Sequence, residues 1–236
     1  MTRKTIRLSV GALLTGVFLG STAVLGEDVI KIGIPVGLSG ANSVVAPSVV
    51  QSAELAAEEI NAKGGILGKK VVLEVADDGS GAAGAQKAFD SLIFQKKVNV
   101  LISMETSAAR NAGLPIVTRG KTPFIYTSFY EGRSCNKYLY VNAWVPDQQV
   151  APIVDYFAKN YKAKTFFLIG SDYAFGRGML EFTRGYIQKT GGKVLGADFT
   201  PFQKTQDFGP YLTKAAASME INKHCINLML ELFGSC

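Results

Sequence analysis

Histidine occurs once in this sequence of 236 residues, at His224, so neither a Ser-His-acid nor a Cys-His arrangement has a well-placed general base. No cluster of Cys or His has metal-ligand spacing, which removes metal catalysis and a structural metal cage from the expected chemistry. A Gly-Lys-Ser or Gly-Lys-Thr phosphate loop is missing, and the glycines of Gly64 to Gly68 follow a helical pattern, the wrong context for a dinucleotide loop. Dense basic clusters interleaved with aromatics are missing too, so nucleic acid is a poor partner. Beyond the N-terminal stretch, no apolar run approaches the roughly 20 residues that span a bilayer. The catalytic chemistry left is the carboxylate pair Asp77-Asp78, which reads as a solvated turn, with an acid-only hydrolase as the alternative.

What is present begins with Arg3, Lys4 and Arg7, an apolar stretch over 8–19, and small residues around Ser21, Ala23 and Gly26. That order is the order of an export signal, so residues 1–26 are set apart from the fold and the mature protein is expected to be periplasmic. No Cys lies near the cleavage region, which argues against a lipid anchor. The formal charge of +6 falls to +3 once the three signal cations are removed. The odd number of cysteines, Cys135, Cys225 and Cys236, leaves a Cys135–Cys225 bridge or unpaired thiols. An apolar fraction of 47% suits an α/β globule.

Ile30, Ile32, Ile34 and Val36 alternate with other residues, which predicts a strand ending at Gly37-Leu-Ser-Gly40. Val45, Val49, Ala53, Ala56 and Ile60 recur at helical spacing until Gly64-Gly65 stops them. The alternation continues with strands over 70–76, 98–103, 123–127, 164–169 and 193–199. Helices are expected over 82–96, 107–119, 146–161, 176–190 and 208–217. Strands alternating with helices of this length form parallel crossovers, so the expected fold is α/β, with parallel sheets covered by helices on both faces. A less regular stretch over 129–144 divides the chain into units over 27–145 and 146–218, followed by an atypical tail, 219–236.

In open parallel sheets, ligands bind beyond the carboxyl ends of the strands. Four such ends carry Ser, Thr, Tyr, Asp or Glu beside Gly: 36–43, 103–111, 126–132 and 170–178. Thr106 and Ser107 stand at a helix start, where free N–H groups and the helix dipole favour a carboxylate or carbonyl oxygen, and they also suit a plain cap. Glu105 could accept from an amino or amide N–H. Tyr126, Tyr130 and Tyr173 could line a small pocket with rings and hydroxyls, although each also suits ordinary packing.

The segments Ala56-Ala-Glu-Glu-Ile-Asn-Ala-Lys-Gly-Gly-Ile-Leu-Gly68, Thr106-Ser-Ala-Ala-Arg-Asn111, Tyr130-Glu-Gly132, Pro146-Asp-Gln-Gln149 and Gly170-Ser-Asp-Tyr-Ala-Phe-Gly176 occur in order. Over about 28–216 the chain resembles the periplasmic substrate-binding proteins of ABC importers for branched-chain amino acids, amides and urea. The resemblance implies a two-lobed clamp that closes on a small amide, urea or amino acid and delivers it to a membrane permease, with no cofactor and no catalysis. It also implies a first-lobe ligand set of Ser39, Thr106, Ser107, Tyr126, Thr127 and Ser128, covered from the second lobe by Tyr173. Asp172 either touches the ligand or caps the next helix, and the cap is preferred. Such a fold would continue past Ala217 into further strands and helices, so the second lobe reads as incomplete and the chain as C-terminally truncated. Two other readings stand beside transport: a ligand-sensing module for a receptor, and a non-functional remnant.

Overall fold

The computed structural model describes residues 28–79, 81–202, 204–219 and 225–229. The expected export segment, 1–26, lies outside the described residues, as do His224 and Cys236. Five strands, β1 (Ile30–Val36), β2 (Val71–Asp77), β3 (Val100–Ser103), β4 (Phe124–Tyr126) and β5 (Leu139–Val141), form one sheet in the order β2-β1-β3-β4-β5. A second sheet joins β6 (Thr165–Ser171), β7 (Lys193–Thr200) and β8 (Cys225–Met229) in the order β7-β6-β8. Every pairing in both sheets is parallel. The two windings begin alike. In each, the chain leaves a central strand for one neighbour and then crosses back to the other side, leaving a crevice between β1 and β3 and another between β6 and β8.

Seven helices connect these strands among the described residues: α1 (Ala46–Ala62), α2 (Ala82–Asp90), α3 (Ser107–Gly120), α4 (Pro146–Gln149), α5 (Ala151–Tyr161), α6 (Ala174–Lys189) and α7 (Gly209–Met219). Alternation along β1 sends Ile32, Ile34 and Val36 against Ala46, Val49 and Ala53 of α1. Leu101, Phe124 and Tyr126 point to the opposite face and pack with Phe89, Leu92 and Val117. The second sheet divides its apolar run in the same way. Phe166 and Leu168 meet Val154, Met179, Leu180 and Ile187 of α5 and α6, whereas Phe167 and Ile169 meet Tyr211 and Ala215 of α7. A strand buried on both faces reads as a continuous apolar run, as this one does. The α/β architecture with helices on both faces is therefore as the sequence implies.

Several elements differ from the sequence reading. The helix expected over 146–161 is two helices meeting at Val150. Pro152 supplies no N–H and its ring crowds the carbonyl four residues earlier, so it sits in the first turn of a new helix. The helix expected over 82–96 changes at Ser91–Gln95 to a wider turn, in which the Lys96 N–H reaches the Ser91 carbonyl at 2.9 Å. The irregular stretch contains β5, paired with β4. The second sheet, read as stopping after two strands, gains β8, which runs beside β6 from Thr165↔Cys225 to Ile169↔Met229. A short apolar run such as Ile226-Asn-Leu-Met229 shows no decisive period, so sequence alone left it unassigned. The Asp77-Asp78 turn is not solvated throughout, because Asp78 is 1% exposed.

Gly113 shows how tightly α3 sits on the core: a Cβ there would lie 2.6–2.8 Å from ring carbons of Phe89, whose ring meets Phe124 edge-on at 5.1 Å. Overpacking of this kind costs about 1–3 kcal/mol, against up to about 1 kcal/mol that Ala gains over Gly in a helix. Gly113→Ala is therefore expected to lower the urea midpoint at unchanged slope. A raised midpoint would show that α3 is free to shift.

Candidate functional site

Because both sheets are parallel, the loops leaving β1, β2, β3 and β4 share one edge of the first sheet, next to the β1/β3 crevice. Hydrogen bonds tie these loops together. The Ser103 hydroxyl, at the end of β3, donates to the Pro35 carbonyl on β1 and lies 3.2 Å from Glu105 Oε1. The Tyr126 hydroxyl, at the end of β4, donates to the Glu105 carbonyl at 2.8 Å. Ser39, after β1, donates through Oγ to Asp77 Oδ2 at 2.8 Å, while its N–H reaches Oδ1 at 3.1 Å. The Gly79 N–H and the Ser39 hydroxyl hold the Asp77 carboxyl below its ordinary pKa.

Thr106 is the N-cap of α3, its Oγ1 accepting from the Ala109 N–H at 3.1 Å. Ser107 is buried, and its hydroxyl donates to Glu131 Oε2 at 3.0 Å. One turn into the helix, Arg110 is 0% exposed and grips Glu131 with both ends of its guanidinium, Nη1 to Oε2 at 3.0 Å and Nη2 to Oε1 at 2.5 Å. The rings of Tyr126 and Tyr130 lie 4.9 and 5.0 Å from the guanidinium carbon, within cation–π range. Burial alone would lower the Arg110 pKa; the hydrogen bonds and charge of Glu131 outweigh it and hold the guanidinium above its ordinary value. Burial also raises the Tyr126 pKa, opposed by the charge of Arg110.

The second unit reaches this cluster through the start of α6. Gly178 lies so close that a Cβ there would be 2.6 Å from the Glu131 side chain. Arg133, just past Glu131, pairs with Glu181 of α6. Tyr173 is the N-cap residue of α6, and its ring stacks on Phe202 at 4.0 Å. Its hydroxyl pKa is pushed up by burial first and then by Tyr126 and Glu131 of the first unit. Asp172 does not cap α6; it pairs with Arg177 instead, with Nε donating to Oδ1 at 2.7 Å. The reason is reach: Arg177 stands in the first turns of the same helix, with its guanidinium over the Phe199 ring.

The expected ligand groups thus fall into two sets. Ser39 is exposed, and Thr127, Ser128 and Tyr173 are half-buried. Thr106 is 9% exposed, whereas Glu105, Ser107 and Tyr126 are each 1% exposed and bonded to other protein groups, forming a layer beneath the rim. Two grooves flank α6, of about 570 and 460 Å3, sharing Glu131, Gly132, Arg133 and Gly178 in their walls. None of the expected ligand groups lines either groove. Cys135, in the wall of the smaller one, is an exposed free thiol, so the bridge to Cys225 is not formed.

Two parallel α/β units, touching at the carboxyl ends of their strands, have the two-lobed architecture of a periplasmic binding fold with the second lobe incomplete. The chain belongs to the periplasmic binding protein family, whose model matches residues 29–219. It is 31% identical to an amino acid binding protein of Pseudomonas aeruginosa over 231 residues, covering 92% of this chain and 59% of that protein. It is 29% identical to the Leu/Ile/Val-binding protein BraC3 of Rhizobium johnstonii, covering 91% and 57%. Among solved structures, the ABC transporter substrate-binding protein from Sphaerobacter thermophilus superposes with a TM-score of 0.73 at 24% identity, over 85% of this chain and 55% of that one. The branched-chain amino acid binding protein LivJ of Streptococcus pneumoniae, solved with isoleucine, gives 0.67 at 26% identity, over 80% and 54%. The chain thus spans little more than half the length of these proteins.

Arg110 and Glu131 are the residues that sequence reasoning quoted within motifs and left without a role. A signal was available: Arg110 lies on the α3 face that carries Gly113, Ile116 and Val117, and a charge on a core stripe requires a partner. Glu131→Ala, which strands a buried cation, is expected to cost about 3–5 kcal/mol in chemical denaturation. The double variant Arg110→Met with Glu131→Leu should recover most of that loss. A loss within about 0.5 kcal/mol, as at an ordinary surface position, would show that the pair does not hold the cluster.

Proposed function

We propose that this chain is the solute-binding component of an ABC importer, exported by residues 1–26, and that it binds a small aliphatic amino acid for delivery to a membrane permease. In this reading residues 27–145 make the first lobe and residues 146–218 begin the second. The observation that carries the proposal is the start of α3, capped by Thr106 and set at the β1/β3 crevice, with the second unit's α6, headed by Tyr173, packed through Gly178 on Glu131 of the same cluster. The first N–H groups of a helix and its positive dipole end suit a carboxylate. The Thr106 hydroxyl, which accepts from Ala109, keeps its hydrogen for a solute oxygen. Thr127 and Ser128 lie at the neighbouring strand end, and the Tyr173 ring offers an apolar cover for an aliphatic side chain. Relatives named for amino acid and Leu/Ile/Val binding support this solute over urea or a neutral amide, which carry no carboxylate.

A clamp of this kind is a binder, and closing excludes water from the hydrogen bonds it makes. Ser107 and Tyr126, whose hydroxyls are directed into the protein, support the rim from below. Thermal shift against leucine, isoleucine, valine, acetamide and urea tests the assignment. Leucine, isoleucine or valine at 100 times its Kd should add about 2.7 kcal/mol of stability, and the amides should add none. Stabilisation by urea or acetamide alone would move the solute class. Thr106→Ala should weaken amino acid binding by about 0.5–3 kcal/mol, with Thr106→Ser restoring it; unchanged affinity would place the carboxylate elsewhere.

A further inference from the structure

We infer that Glu105 is kept as a neutral carboxylic acid that positions the solute-binding rim, and that it offers the solute no charge. Ser103 has one hydroxyl hydrogen and two acceptors within reach, the Pro35 carbonyl and Glu105 Oε1 at 3.2 Å. That hydrogen can serve only one of the two acceptors at a time, so Glu105 Oε1 has at best a shared donor in Ser103. A hydrogen carried on Glu105 itself lets Ser103 keep its own for Pro35. The other Glu105 oxygen, Oε2, is shielded from solvent and has no hydrogen-bond partner among the described residues. An ionised carboxylate there would have only the shared Ser103 hydrogen and the Thr106 N–H to offset its burial.

The surroundings agree. The groups around Glu105 come from the ends of three strands: Asp78 after β2 and Ser103 on β3 at its carboxyl, and Tyr126 on β4 at its backbone carbonyl, with Pro35 of β1 reached through Ser103. Asp78, itself buried, is the acidic neighbour, and a second negative charge beside it is disfavoured. Burial first and Asp78 second push the Glu105 pKa up to about 11, outweighing the Ser103 hydroxyl and the Thr106 N–H. The backbone of Glu105 leads directly into the Thr106 cap, and its carbonyl receives the Tyr126 hydroxyl. One acid hydrogen thus helps fix the spacing of the loops that carry Ser39, Thr106 and Thr127.

The functional part of this inference rests on the solute-binding reading; the protonation part does not. Infrared difference spectra of the full chain, wild type minus Glu105→Gln at neutral pH, should show the carbonyl stretch of one protonated acid. A carboxylate band in its place overturns the inference whether or not any solute binds. Between its ordinary value of 4.5 and about 11, the folded chain holds a proton that the unfolded chain releases, so this group's contribution to stability declines as pH rises. The urea stability of wild type relative to Glu105→Gln should fall accordingly from about pH 5 to about pH 9, and a flat difference counts against the neutral acid. For binding, Glu105→Ala should weaken leucine at least about tenfold, with Glu105→Gln recovering most of the loss because an amide can still donate to Ser103. Equal losses in both variants would make Glu105 a charged contact and overturn the positioning role. Failure of every solute to bind would count against the proposed function alone.

Discussion

The arrangement depends on one buried ion pair. At the depth of Arg110 and Glu131, neither charge can exchange its partner for water, so the two move together or not at all. The pair ties α3 to the loop after β4, and that loop is in turn the surface on which α6 rests, through Gly178 and the Arg133–Glu181 contact. Ser107 donates to the same carboxylate, so the first turn of α3 is fixed from behind. Two aromatic faces complete the shell, which leaves the guanidinium few alternatives to its present position.

On this support the strand ends present polar groups whose hydrogen bonds are already assigned. The hydroxyls of Ser39, Ser103, Ser107 and Tyr126 all donate to protein acceptors. The rim is therefore organised by its own hydrogen bonds, and these side chains need no further group to order them. The exposed and half-buried members, Ser39, Thr127, Ser128 and Tyr173, stand above the buried layer of Glu105, Ser107 and Tyr126. The division follows the strand period: Tyr126, at the end of β4, points to the face covered by α2 and α3 and into the core, while the residues just beyond it are half-buried.

Much of the fold was legible because the signals were local. The apolar run Phe166 to Ile169, the Gly64-Gly65 stop and the Thr106 cap each announce an element through neighbours in the chain. Positions in the candidate site were legible as strand ends, which follows from parallel topology alone. Burial of those positions was not. Nothing adjacent to Glu105 shows that Asp78 and Ser103 enclose it, and the Arg110–Glu131 pair joins residues that only the packing of α3 on β4 brings together. Pro152 is a different case, since its helix-breaking effect is local and the periodic pattern across 146–161 simply outweighed it.

The place of β8 has a consequence for the order of assembly. Its partner β6 is complete in the emerging chain well before α6, β7 and α7 have followed, so one flank of that strand stays bare for the whole interval. Open backbone donors and acceptors on an apolar strand invite mispairing, and the longer the wait the greater the exposure. The first sheet closes its own crossing, between β1 and β3, earlier in the chain, and all five of its strands precede β6. Assembly is therefore vectorial: the first unit, with its buried charges joined, is the template on which the late-closing half of the molecule is completed.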